Sequence, residues 1–192
     1  PPQDLKLLAE EASKYSFEVL YFADSLGNMN KKQVLNVINQ LRQHWDGPLG
    51  IHAHDNMGLG LLNTLFAIQN GVTWVDSTVT GMGRGAGNAK TELLAIEIAD
   101  IRNQELNIKS LISVISSKFK PLKEKHCWGT NPFYYLSGKN SVHPTYVQEM
   151  IGDSMKIKMT YIHSITQQEE GSNSFDIIGE RIFKDSTYVI LK

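Results

Sequence analysis

His52 and His54 stand two residues apart at the end of the apolar run Leu49 to His54. Side chains at i and i+2 of a β-strand project from one face, so a strand here sets two imidazoles side by side. Such a pair suits one divalent cation, with a carboxylate and water completing the shell. A plainer arrangement uses the same residues: one imidazole caps a helix or bonds a backbone carbonyl, and the other is exposed. Two further apolar runs also finish in polar side chains. Phe17 to Ala23 leads into Asp24 and Ser25, and Thr73 to Val79 carries Asp76, Ser77 and Thr78. Asp24 and Asp76 can each orient a ligating imidazole, or simply cap a helix or bond a loop. The third run is followed by Gly81-Met82-Gly83-Arg84-Gly85-Ala86-Gly87-Asn88, whose alternate glycines let the backbone approach a ligand closely. A G-x-G start at Gly81 puts Ala86 at the third glycine of a dinucleotide fingerprint, and a start at Gly83 puts Asn88 there; no Gly-Lys-Ser/Thr closes a P-loop. The loop is therefore an anion cradle at a helix N-terminus, or a tight turn with Asn88 as N-cap. Arg84 fits a substrate carboxylate or plain solvation. Cys127 has no His-Asn constellation around it, which argues against a nucleophile.

The elements that must position these residues follow from periodicity. Leu5, Leu8, Ala9 and Ala12 mark a helix over Asp4 to Tyr15, and Val34, Val37, Ile38 and Leu41 mark another after the N-cap candidate Asn30. Helices are also predicted over Leu59 to Asn70, closed by Gly71, and over Leu93 to Ile101. With the three apolar runs as strands, the order is α-β-α-β-α-β-α with short connections, which argues for right-handed parallel βαβ units. Beyond Ile101 the pattern is helical only: one helix through Leu106, Leu111, Val114, Ile115 and Phe119, then two short ones with Pro132 and Pro144 near their starts. The stretch from Gly152 onward is polar and mixed. The whole chain has 192 residues and a net charge of -1, with 19 Lys+Arg against 20 Asp+Glu. That balance excludes nucleic acid as the main partner. A single Cys excludes a disulfide scaffold and fits a reducing, cytoplasmic setting. No apolar run reaches bilayer length, so no membrane role is expected.

Taken as a set, Ala23-Asp24-Ser25-Leu26-Gly27, Gly50-Ile51-His52-Ala53-His54-Asp55-Asn56-Met57-Gly58 with Asn63, and the Gly81 to Asn88 loop resemble the last strands of the metal-dependent aldolase and lyase barrels. That superfamily includes 4-hydroxy-2-oxovalerate aldolase, hydroxymethylglutaryl-CoA lyase and the isopropylmalate and homocitrate synthases. The loop is most similar to that of the aldolases, because it lacks the cysteine of the lyases and the acidic-basic pair of the synthases. The resemblance implies a fold: the last three strands of a (β/α)8 TIM barrel over residues 1–104, a helical C-terminal extension over 105–151 and an unassigned tail, 152–192. It implies Mn2+ or Mg2+ on His52, His54 and Asn88, with Asp24, Ser77, Gly83 and Arg84 binding substrate. Tyr134, beside Tyr135, is the positional match to a tyrosine that reaches the family's active site. The activity implied is cleavage or formation of a 4-hydroxy-2-oxo acid, pyruvate plus an aldehyde, through a metal-stabilised enolate, with an oligomer or a partner dehydrogenase in the full-length protein. A Claisen-type acyl-CoA synthase or lyase, or a non-catalytic interaction module, is the alternative.

The family's first strand carries an Asp ligand and a catalytic Arg in an Asp-Arg-Glu-like motif that does not occur in this sequence. A complete barrel also takes roughly 250 residues. The chain is thus expected to be the C-terminal part of a longer protein, with an open three-stranded sheet and exposed apolar edges.

Overall fold

The computed structural model describes residues 2–151; the expected tail unit, 152–192, lies outside the described residues. Three parallel strands, β1 (Leu20–Asp24), β2 (Leu49–Ala53) and β3 (Trp74–Val75), form one sheet in the order β1-β2-β3. The helices α1 (Pro2–Ala12), α2 (Lys31–Leu41), α3 (Gly60–Gln69) and α4 (Thr91–Arg102) alternate with them. The register pairs Leu20 with Leu49 and Ala23 with His52, and Gly50 with Trp74. This is an α/β fold with a parallel sheet, as the alternation requires.

The register and the two-residue side-chain period divide the sheet into unlike faces. On one, Phe22, Leu49, Ile51 and Ala53 pack against Ala9 and Ala12 of α1, Val34, Val37, Ile38 and Leu41 of α2 and Ala67 of α3. Each of these is nearly or wholly removed from water, and this burial is the main favourable contribution to the fold. The other face has no helix on it among the described residues. It presents Tyr21, 38% exposed, and Trp74, 44% exposed, followed one pleat further along by Ala23 and His52.

Helix α2 begins with a full capping box: Asn30 accepts from the Gln33 N–H at 3.0 Å, and the Gln33 side chain accepts from the Asn30 N–H at 2.9 Å. Replacing Asn30 by Ala removes one half of it and is expected to cost about 1 kcal/mol, read as a lower urea midpoint at unchanged slope.

The third strand is shorter than the expected Thr73 to Val79. Its named ladder stops at Val75: the Asp76 N–H still donates to the Ile51 carbonyl at 3.1 Å, and the chain then leaves β2, Thr78 pairing with Lys90 as an isolated bridge. Beyond α4 the chain is helical: α5 (Ile108–Val114), a π-helical turn (Ile115–Phe119), α6 (Lys120–His126), α7 (Pro132–Lys139) and α8 (Pro144–Ile151). The expected helix over 106–119 is thus followed without a break by α6, with Pro121 just after the π-helical turn. Asn131 caps α7 by accepting from the Tyr134 N–H. The α7–α8 region docks on the strand-end loops. The Asn28 side chain donates to the Gly138 carbonyl at 2.8 Å, the Gly129 N–H donates to Gly85 at 3.0 Å, and the Thr130 hydroxyl contacts the carbonyls of Asp55 and Asn56.

Candidate active site

His52 and His54 project from the uncovered face, their rings in edge contact with centroids 4.8 Å apart. Each Nδ1 meets an oxygen that can only accept. His52 Nδ1–H donates to Asp76 Oδ2 at 3.0 Å, and His54 Nδ1–H donates to the Asp24 carbonyl at 2.9 Å. Both rings are therefore held in the tautomer whose Nε2 carries the lone pair. Burial, opposed by the bond to Asp24 and reinforced by the charges of His52 and Arg84, lowers the His54 pKa. The neutral, ligating form of His54 is thus favoured at neutral pH.

Asn88 joins them through the backbone. The Asp55 N–H donates to Gly87 at 2.9 Å and the Ala89 N–H to Ala53 at 3.0 Å, which makes His54 and Asn88 an antiparallel bridge pair. Opposed residues of this non-hydrogen-bonded kind bring their side chains close on one face. The Asn88 Nδ2 donates to the Met82 carbonyl at 3.2 Å, which leaves Oδ1 as its lone-pair donor. Two imidazoles and an amide oxygen suit a divalent cation as part of a shell; among the described residues no group of three or more His, Cys, Asp or Glu is placed to hold one.

Other expected residues are placed differently. Asp24 is 1% exposed and lies on the helix-covered face, opposite to the histidines by strand alternation. Its carboxylate accepts from the Asn28 and Met29 N–H groups at 3.1 and 3.0 Å, so it fixes the loop after β1 and reaches the site only through its carbonyl. Burial pushes its carboxyl pKa up, against those amides and His54. A raised carboxyl pKa makes its contribution to stability largest in acid and lost as the pH rises through the folded value. Ser77 bonds Thr91 across to α4 at 2.9 Å. Gly83 faces Asn88, and a β-carbon there would come within 2.5 Å of Asn88 Nδ2. Arg84 is exposed and donates to the Thr145 hydroxyl at 3.2 Å. It lines a cleft of about 510 Å3 together with Met82, Leu122, His126, Trp128 and Tyr134. Tyr134 is 4% exposed and its ring packs where Gly85 lacks a side chain. Burial, partly offset by Arg84, raises its phenol pKa, which keeps the hydroxyl protonated.

Tyr21 belongs to the site and was missed. Its ring covers Gly50, where any β-carbon would collide with it. Burial, and then the charge and hydrogen bond of Asp76, raise its pKa. Tyr21, Asp76 and His52 thus form one polar chain across the three strands. The signal was available: Tyr21 is two residues before Ala23 on the same face, and a glycine stands opposite it.

Set beside known proteins, residues 1–117 match the model of the HMGL-like family. Over 95 residues the chain is 42% identical to a 4-hydroxy-2-oxovalerate aldolase of Rhodococcus opacus, which covers 48% of this chain and 27% of that protein. Among solved structures, the N-terminal domain of a candidate aldolase from Bacteroides vulgatus superimposes with a TM-score of 0.70 at 37% identity, covering 78% of this chain and 49% of that one. The Bacillus subtilis HMG-CoA lyase does so with 0.55 at 25% identity, covering 67% and 45%. The matched stretch spans 27% to 36% of the length of the aldolases it resembles. The His-x-His strand, the glycine loop and all four βα-unit helices fall inside residues 1–117, and the chain belongs to the HMGL-like family.

Proposed function

We propose that residues 1–104 are the last three strand-helix units of a (β/α)8 barrel, that 105–151 are its helical extension and 152–192 a further segment, and that the protein is a divalent-metal-dependent aldolase. Its reaction is cleavage or formation of a 4-hydroxy-2-oxo acid, with pyruvate and an aldehyde on the other side. The observation that carries this is the pair of Nε2 lone pairs on one strand, each ring pinned at Nδ1, with the Asn88 amide bridged alongside. The bare sheet face with its half-exposed Tyr21 and Trp74 supports the barrel reading, since this face is the one a barrel turns inward.

His52, His54 and Asn88 would hold Mn2+ or Mg2+. When bound, the cation supplies Lewis-acid polarisation of the carbonyl and carboxylate oxygens of a 2-oxo acid. The chain's own groups do the rest. The Asp24 carbonyl and the Asp76 carboxylate orient the imidazoles. Arg84, exposed at the cleft, suits the substrate carboxylate. Gly83 and Gly85 leave room for Asn88 and Tyr134, and the protonated Tyr134 hydroxyl suits proton transfer at the aldehyde oxygen. Self-assembly or a partner dehydrogenase, and a cytoplasmic setting, accompany this reading.

This chain by itself is expected to be inactive, so the test is made on the full-length protein: Mn2+- or Mg2+-dependent release of pyruvate from 4-hydroxy-2-oxovalerate, set against cleavage of acyl-CoA esters. Release that stops with a chelator supports the aldolase; acyl-CoA cleavage alone overturns it. A smaller effect belongs to Asp76. Asp76→Asn keeps an acceptor for His52 Nδ1 but loses the charge, so Co2+ affinity should fall about tenfold. In the same protein the Tyr21 phenol should titrate lower, by absorbance, because one cause of its raised pKa is gone.

A further inference from the structure

Thr80 is the one β-branched residue among the described residues with left-handed backbone, φ 55° and ψ 18°. That conformation is disfavoured for any L-residue and most of all for a branched one, so something must hold it. Two side chains from distant parts of the chain do. Glu92, in the first turn of α4, accepts the Thr80 N–H at Oε2, 2.8 Å away. Trp128, which follows α6, donates its buried indole N–H to the Thr80 carbonyl at 3.1 Å. Thr80 and Trp128 are each 8% exposed, so the Trp128 bond is shielded from bulk water, while the Glu92 bond is part-buried.

The turn continues through Gly81 at φ 70°. Its carbonyl accepts the Asn88 N–H at 3.2 Å, and the carbonyl of the next residue, Met82, accepts the Asn88 side chain at 3.2 Å. The two bonds that fix Asn88, one at its main chain and one at its amide, therefore both come from residues that directly follow the held turn. Asn88 in its turn is the residue bridged to His54.

We propose that Glu92 and Trp128 are positioning residues: by holding Thr80 left-handed they place the Gly81 and Met82 carbonyls, and through these they set the Asn88 amide oxygen beside His54 as the third donor to a divalent cation. The inference rests on the metal reading of His52 and His54. It gives the helical region after α4 a part in that site, because Trp128 belongs to it.

The probe is Co2+ alone, titrated into the chain by calorimetry and by its visible absorption, which reports the donor set. Trp128→Phe keeps an aromatic ring and loses the N–H donor; Glu92→Met keeps the bulk and loses the acceptor. Each should weaken Co2+ about three- to tenfold, the effect of one lost hydrogen bond. In an Asn88→Ala background the same changes should cost nothing further, and in a Thr80→Gly background their cost should shrink, because glycine takes positive φ without help. Equal losses with and without Asn88, or no rescue by Thr80→Gly, overturn the inference and leave the metal reading standing. Co2+ binding that is absent, or unchanged by His54→Ala, overturns both. Should Trp128→Phe fail to fold by thermal melt, the Glu92→Met cycle reads the same coupling.

Discussion

Exchanging His54 for Ala should lower the affinity for Co2+ by more than about a hundredfold, beyond the range seen when only the partner of a metal-bound histidine is lost. The reason is that His54 is the residue on which the site converges. It lies two positions from His52 on the same face, 4.8 Å between ring centroids, and opposite Asn88 in the bridge. Losing it separates the two remaining donors. The fold should survive, since the ring is half-buried and its one protein hydrogen bond is to the Asp24 carbonyl. That loss is worth about 1 kcal/mol. Calorimetric titration of the variant beside a urea melt checks both halves. Metal affinity that persists within tenfold would place the cation elsewhere. Binding by the unmodified chain should weaken in acid as the His54 imidazole takes up a proton. His54 resists this to a lower pH than an unburied histidine, because its pKa is lowered.

Gly87→Ala is expected to be the costliest glycine-to-alanine change among the described residues, at about 2–5 kcal/mol. Gly87 has φ 79°, and a β-carbon there would land on the carbonyl oxygen of Gly81. That oxygen is main chain, and it already accepts the Asn88 N–H, so it cannot swing aside as a flexible side chain would. The disfavoured backbone contributes about 1–2 kcal/mol and the collision a further 1–3. Gly58→Ala is the matched control. Its φ is 71° but nothing lies within 4 Å of the added carbon, so only the backbone cost, about 1 kcal/mol, should appear. Urea midpoints of the two variants decide the matter: if they coincide, the packing around Gly87 is not what the structure shows. Because the Gly87 carbonyl accepts from the Asp55 N–H, Gly87→Ala should also loosen the pairing of His54 with Asn88 and weaken Co2+.

The order of elements was legible because helices of period 3.6 and buried strands alternate without long gaps. His52 and His54 were legible for a related reason: a two-residue spacing has one meaning on a strand. Asp24 shows the limit of reading strand ends by residue type. It ends β1 as expected, yet one step of alternation puts its carboxylate behind the sheet, and only its carbonyl serves the site. Thr73 to Val79 reads as a full strand by apolarity, but beyond the Asp76 N–H bond to Ile51 the chain leaves β2 and Thr78 pairs with Lys90 instead. Tyr21 and Glu92 escaped because their partners are 55 and 12 positions away in sequence, and only the folded register or a loop turn brings them together. Thr80 could not be read at all, since nothing in a Val-Thr-Gly stretch announces a left-handed threonine.

The uneven covering of the sheet also divides the three tryptophans into separate optical populations. Trp45 and Trp128 are 6% and 8% exposed and both indole N–H groups are bonded, to Pro48 and to Thr80. Trp74 is 44% exposed on the bare face. Red-edge emission and access to a collisional quencher therefore belong to Trp74 alone. Whatever comes to lie on that face, another strand or another subunit, will register there first, as a blue shift and a loss of quenching, while the two buried indoles keep the signal of an intact fold.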